Sequence, residues 1–177
     1  MHRDLLLNKI TNILGSTNDS YEAKLVSMCD DAKRIFITGA GRSKLVGNFL
    51  GMRLMHSGYI VYVQGEISTP SIREGDLLIV ISGSGETTQL VSFTNKAKSE
   101  GAKVVLICSK SSSTIGDLAD QTIQIGNDES FAPTKGMPMG TMFELSTLIF
   151  LEAIVSHLIH EKGIPEEEMK YRHANME

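Results

Sequence analysis

Ser82, Ser84 and Thr87, with Gly83 and Gly85 between them, put three hydroxyls and two unhindered backbone positions into six consecutive residues. In front of them residues 77–81 are uninterrupted apolar residues rich in β-branched types. Such a run reads as a strand buried on both faces. Behind them Leu90, Val91, Phe93 and Ala97 recur at helical spacing. A strand that passes through a Gly/Ser turn into a helix builds an anion site. The first helical N–H groups have no intrahelical acceptor, the dipole favours negative charge, and glycine lets the backbone come close. Each hydroxyl can donate a further hydrogen bond, so a phosphate monoester fits. A serine ahead of a helix also serves as a cap, and Glu86 nearby is partly accounted for in that way. Glu86 sets a condition on the phosphate reading: a carboxylate facing a bound phosphate repels it, so the side chain has to point away.

A second small-residue turn, Gly39-Ala40-Gly41-Arg42-Ser43, follows a short apolar strand at 35–38. The dinucleotide pattern G-x-G-x-x-G fails at Lys44, and no Gly-Lys-Ser/Thr triplet is present for a Walker A loop. Ser43 is either a ligand or simply the first residue of the next helix, 43–57. That helix carries Gly47 and Gly51 on one face. Each glycine costs about 1 kcal/mol relative to alanine, so something is expected to approach the backbone closely there. Arg53 and His56, three apart, form either a solvated face or a reach toward a substrate.

Proton carriers come later in the chain. Glu144 lies in the first turn of a long apolar helix, 141–162, and Thr141-x-x-Glu144 has capping-box spacing. A carboxylate there is also favoured by the helix dipole, by about 0.3–1 kcal/mol. Glu152 is eight residues on and about 80° round the helix, too far round to pair with Glu144. An ion pair at an interface is expected for it. His173, near the end of the chain, is solvated by default.

The elements that must position these residues alternate. Two leading helices are expected within 1–33, at 3–15 and about 20–33, the second with Asp19 and Ser20 as caps. The sheet core spans 34–126, with strands at 35–38, 60–63, 77–81, 104–108 and 122–125 and helices between them. Residues 126–140 read as a loop holding Pro133, Gly136, Pro138 and Gly140. The long helix follows, then a tail at 164–177. Strand–turn–helix units in this rhythm predict a single three-layer α/β/α sandwich on a five-stranded parallel sheet. Both Gly-rich turns then fall at strand C-terminal ends, where open α/β sheets bind ligands. The long helix is apolar over most of its circumference, which predicts burial on more than one side. A homo-oligomer follows, with a dimer as the minimum and a tetramer with a four-helix core as one solution.

The totals fit an ordinary globule of 177 residues, 41% apolar and 21% charged. A net charge of −4 and no basic stripe argue against a nucleic-acid partner. Cys29 and Cys108 both lie near apolar runs, as reduced cytosolic thiols do. The amino-terminal run is too charged for a signal peptide, and no apolar run suggests a membrane span. A cytoplasmic protein is expected. No His/Cys/Asp cluster has metal-ligand spacing, and neither a metal nor another cofactor is expected.

Ser82-x-Ser84-Gly85-Glu86-Thr87 resembles the S-x-S-G-E-T signature of the sugar isomerase (SIS) domain family, of flavodoxin-like fold. Gly39-x-Gly41-x-Ser43 is similar to that family's entry turn. The resemblance implies that Ser82, Ser84, Thr87, the Gly83 amide and Ser43 hold the phosphate or hydroxyls of a phosphosugar. Three further runs, M-R-L-M-H-x-G at 52–58, P-M-G-T-x-F-E at 138–144 and R-H-A-N-x-E at 172–177, look like the 6-phospho-3-hexuloisomerase branch. That branch interconverts D-arabino-hex-3-ulose 6-phosphate and D-fructose 6-phosphate in the ribulose monophosphate route of formaldehyde fixation and pentose supply. On that resemblance Glu144 and His173 are the catalytic residues and Arg53 a substrate contact. Moving a carbonyl between C3 and C2 passes through a cis-enediol, and one carboxylate can remove and return the proton. His173 is the candidate for ring opening or for moving the proton between the two oxygens, in its own pocket or a neighbour's. The alternatives are another SIS aldose–ketose isomerase, or a phosphosugar-binding module without catalysis.

Overall fold

The computed structural model describes residues 2–132, 136 and 140–176. Helices α1 (His2–Gly15) and α2 (Ser20–Asp31) lead into β1 (Ile35–Gly39), α3 (Arg42–His56) and β2 (Val61–Val63). Then come β3 (Leu77–Ile81), α4 (Thr88–Ser99), β4 (Lys103–Cys108), α5 (Thr114–Leu118) and β5 (Gln121–Gln124). The chain continues through α6 (Thr141–Lys162) and α7 (Glu166–Arg172). Among the described residues the strands form one five-stranded sheet in the order β2-β1-β3-β4-β5. Every pairing is parallel. The expected α/β/α sandwich is present as a single domain. Of the expected loop at 126–140, Pro133 and Pro138 lie outside the described residues, as does Glu177 in the tail.

The central strand explains the layering. All five residues of β3 are buried, and successive side chains leave on opposite faces. Leu77, Ile79 and Ile81 join the core beneath α1, α2, α3 and α6. Leu78 and Val80 join the second core, beneath α4 and α5. A strand with apolar residues at every position is therefore what a sheet covered on both sides requires.

The glycine pair in α3 divides in two. A Cβ on Gly47 would stand 2.9 Å from the Ile37 methyl of β1, so the expected close approach is real there. At Gly51 the nearest atoms would be at 3.5 Å, an ordinary contact. Asp19 stands at the N-cap of α2 but its side chain caps nothing. The Asn18 side chain instead accepts from the Ser20 amide at 2.9 Å.

Helix α6 runs 22 residues with a mean hydropathy of 1.6 over its most apolar window, sufficient in length and composition to cross a bilayer. Half of that window is buried in the fold, against α1, α2 and α3. Its apolarity thus has a packing cause, although Leu145 and Ile149 remain exposed. Helix α7 lies within the stretch read from sequence only as a tail. Three glutamates in its first turn and Lys170 and Arg172 in its last suit the helix dipole.

Candidate active site

The strand order reverses between β1 and β3: from β1 the chain crosses by α3 to β2 on one side, and from β3 by α4 to β4 on the other. Helices α3 and α4 cover opposite faces, so the carboxyl ends of β1 and β3 open into a crevice, where open sheets of this kind take ligands. Both small-residue turns lie there. Gly39 closes β1, and a Cβ on it would stand 2.9 Å from the Lys44 amide nitrogen and 3.0 Å from the Ser43 carbonyl. Only glycine lets the start of α3 fold back so tightly. Ser43 is held at that helix start with 8% of its surface exposed.

The second turn is braced from within. The Ser82 hydroxyl accepts from the Gly85 amide and the Ser84 hydroxyl from the Glu86 amide, each at 3.2 Å. Ser109 donates through both its amide and its hydroxyl to the Gly83 carbonyl. Gly85 has a φ of +67°, and a Cβ on it would collide with the Ser113 hydroxyl at 2.2 Å. Neither serine caps α4. The N-cap is Thr87, and it makes no side-chain cap. The amides of Gly83, Ser84 and Thr87 meet no protein acceptor among the described residues. Glu86 turns away from them: its carboxylate accepts from the Thr114 amide at 2.7 Å and the Thr114 hydroxyl at 2.6 Å, at the start of α5. These hydrogen bonds, the hydroxyl's first, hold its pKa below the usual carboxylate range. The condition that a phosphate cradle sets on Glu86 is met.

Glu144 is brought to the same crevice by α6. The residue before it, Phe143, lies against Gly83, where a Cβ would stand 3.2 Å from the ring. Glu144 itself meets Arg42 of the first turn, with Arg42 Nη2 donating to Oε1 at 3.4 Å. The capping box with Thr141 does not form. Gly140, in the left-handed conformation, is the N-cap, so Thr141 is already inside the helix and no side chain caps it. Glu144 Oε2 is buried and accepts no hydrogen bond among the described residues. A carboxylate with one oxygen held by a cation and the other without a partner suits a proton carrier better than a cap.

Arg42 was not among the residues singled out from sequence. A signal was available: a cation in the first turn of a helix is disfavoured by the dipole, and this one sits in a turn of otherwise small residues.

Arg53 and His173 lie elsewhere in the chain. Arg53 makes a two-pronged ion pair with Glu152 at 2.8–3.1 Å, tying the far end of α3 to α6. The ion pair expected for Glu152 thus forms within the chain. The His173 ring stacks on that of His56, with centroids 5.1 Å apart. His56 is the last residue of α3, whose rise over the thirteen residues from Ser43 separates the two by about 20 Å. The fold therefore brings Ser43, the 82–87 turn and Glu144 together, and leaves Arg53 and His173 at the opposite end of α3.

Both cysteines are free and buried. Burial, with Asp30 adding to it, pushes the Cys29 thiol up to about 12, and burial raises Cys108 as well, so neither is a ready nucleophile.

A doubly wound sheet with two Gly-rich turns at its switch point, one of them bearing three hydroxyls, and a carboxylate on the adjoining helix defines an α/β domain suited to binding an anionic ligand. The SIS domain pattern matches residues 28–150, and the chain belongs to that family. It is 49% identical over 178 aligned residues to the 3-hexulose-6-phosphate isomerase of Methylomonas aminofaciens, covering 99% of this chain and 98% of the relative. It is 38% identical to the 3-hexulose-6-phosphate isomerase of Bacillus subtilis, covering 97% of this chain and 95% of that one. Among solved structures, a Methanococcus jannaschii protein superposes with a TM-score of 0.89 at 35% identity, over 99% of both chains. That crystal structure is described as inferring a 3-hexulose-6-phosphate isomerase function.

Proposed function

We infer that this protein is an isomerase that interconverts D-arabino-hex-3-ulose 6-phosphate and D-fructose 6-phosphate through a cis-enediol. The observation that carries this is near-half identity, from end to end, to a 3-hexulose-6-phosphate isomerase. The Glu144 carboxylate beside the two Gly-rich turns supports it chemically. The hydroxyls of Ser43, Ser82, Ser84 and Thr87 and the Gly83 amide hold the phosphate. Glu144 takes the proton from C2 of the 3-ketose and returns it to C3, while a proton passes from O2 to O3. Arg42 holds Oε1, so Oε2 is the oxygen that carries the proton.

In the 3-ketose the phosphate occupies O6, so the substrate is open-chain. Fructose 6-phosphate is largely a furanose and needs ring opening, which falls to His173. The span of α3 separates His173 from its own chain's turns, which supports its serving a neighbouring copy. Exposed Leu45, Phe49 and Met52 on α3 and Leu145 and Ile149 on α6 supply an apolar face for such a copy. A homo-oligomer with a dimer as the minimum and a tetramer as the fuller form follows, working in the cytoplasm on the ribulose monophosphate route. Arg53 is a substrate contact only if it leaves Glu152.

Proton NMR of fructose 6-phosphate with the pure protein in D₂O tests this. Exchange at C3 is expected. Exchange at C1 means an aldose–ketose isomerase, and binding without exchange means a phosphosugar sensor or an isomerase for another sugar.

A further inference from the structure

His56 is a histidine with only 7% of its surface exposed, and nothing in the phosphate site needs it. Its ring lies against that of His173 with an interplanar angle of 22°. Arg172, directly before His173, donates from Nη1 to the His56 carbonyl at 3.1 Å. That carbonyl belongs to the last turn of α3, where acceptors lack intrahelical donors and a cation is favoured. The other arm, Nη2, donates to Glu168 of α7 at 2.9 Å, so the guanidinium bridges the two helices. Gly58, at a φ of +100°, lies beside the guanidinium: a Cβ there would stand in ordinary contact, 3.5 Å from Arg172 Cζ.

His173 is exposed and stands at the C-terminal cap of α7, a helix with no buried residue. Two constraints nevertheless converge on it. Ring stacking sets the plane of the imidazole, and the Arg172 bridge sets the backbone one residue upstream. Its Nδ1 lies 2.9 Å from the Ala174 carbonyl. In the neutral ring that contact keeps the hydrogen on Nδ1 and the lone pair on Nε2. An aliphatic side chain at 56 would fill the same space without fixing a ring plane.

We propose that His56 and Arg172 are positioning residues for the isomerisation, clamping the tail to the C-terminal end of α3 and fixing the plane of the His173 ring. The clamp rests on His173 acting as the acid/base of the proposed reaction. It supplies no proton itself.

The test is steady-state isomerisation of fructose 6-phosphate by the full chain carrying His173→Ala, His56→Ala, His56→Phe, Arg172→Ala, Arg172→Lys, or His56→Ala with His173→Ala. His56→Ala and Arg172→Ala are each expected to lower kcat about tenfold with KM within about twofold, as a misplaced catalytic group does. Phenylalanine at 56 keeps a stacking face, and lysine at 172 keeps one donor for the His56 carbonyl. Each is expected to recover most of the loss. In the His173→Ala background His56→Ala should cost nothing further, because the group it positions is already gone. Full activity of His173→Ala would remove His173 from the mechanism and the clamp with it. Loss in His173→Ala, with either normal single variants or losses that multiply in the double variant, would overturn the clamp and leave His173 standing. If His56→Ala fails to fold, the Arg172 side chain, 32% exposed, carries the same test.

Discussion

The Glu86 carboxylate, in the middle of the phosphate turn, is bound by the amide and hydroxyl of Thr114 at the start of α5. This relationship removes a negative charge from the face where a phosphate must sit. It also ties the turn after β3 to the helix after β4, two segments 28 positions apart.

Glu86→Gln should therefore weaken the fold in a pH-dependent way. The folded-state pKa of Glu86 is depressed, so its stabilising contribution is present above the ordinary carboxylate pKa of about 4.3 and is lost as pH falls through the folded value. Urea midpoints of wild type and variant should differ most near neutrality and begin to converge only as pH falls below the ordinary carboxylate value of about 4.3. A gap that stays constant with pH would mean that the charge on Glu86 is not what Thr114 stabilises.

Glu144→Gln keeps the shape and removes the proton carrier. The fold and binding of fructose 6-phosphate should persist while kcat falls by roughly 10²–10⁴. A loss below about threefold would take Glu144 out of the mechanism. Arg42→Ala, which frees Oε1, should lower kcat by about tenfold to a hundredfold through misplacement of the carboxylate. Single-turnover rates set against titrated substrate affinity separate the two effects.

The two glycines of α3 should respond in opposite directions. Gly47→Ala drives a Cβ to 2.9 Å from a methyl of Ile37, a side chain stiff at χ1, and should cost about 1–3 kcal/mol. Gly51→Ala meets only ordinary contacts and should gain up to about 1 kcal/mol from helix propensity. Chemical denaturation of the pair checks both signs at once.

Arg53 carries a choice between two roles. As half of an ion pair with side-chain exposures of 26% and 39%, Arg53→Met should cost at most about 1 kcal/mol and leave KM unchanged. If Arg53 instead leaves Glu152 to hold the phosphosugar, KM should rise tenfold or more with the fold intact. Calorimetric titration with fructose 6-phosphate decides between them.

Much of this molecule was legible in the chain itself. The boundaries of β3 follow from an uninterrupted apolar run closed by Ser and Gly, and those of α6 from apolar residues spread round most of a helix that Gly163 closes. The parallel sheet follows from the alternation of short strands with helices, because parallel strands require crossovers. The two Gly-rich turns at strand ends were equally plain, since small residues between a strand and a helix mark the break in both patterns. All of these are local properties, set by side-chain period and backbone freedom within a dozen residues.

What tertiary structure decided are the partners of charged and polar side chains. Sequence spacing offered Thr141 to Glu144 as a capping box, but a left-handed Gly140 starts the helix one residue early, and the carboxylate goes to Arg42 across the crevice. Spacing left Glu86 ambiguous, and a helix 28 residues on took its charge. Asp19 stood where a cap should be, and Asn18 does the capping. Arg53 and His173, linked to the phosphate turns by resemblance, stand at the other end of α3, a separation that only the direction of a helix on a sheet can set. Hydrophobic period fixes which face of an element is buried. Which charge meets which depends on how far chain-distant elements approach, and a one-residue shift in a helix start is enough to change the partner.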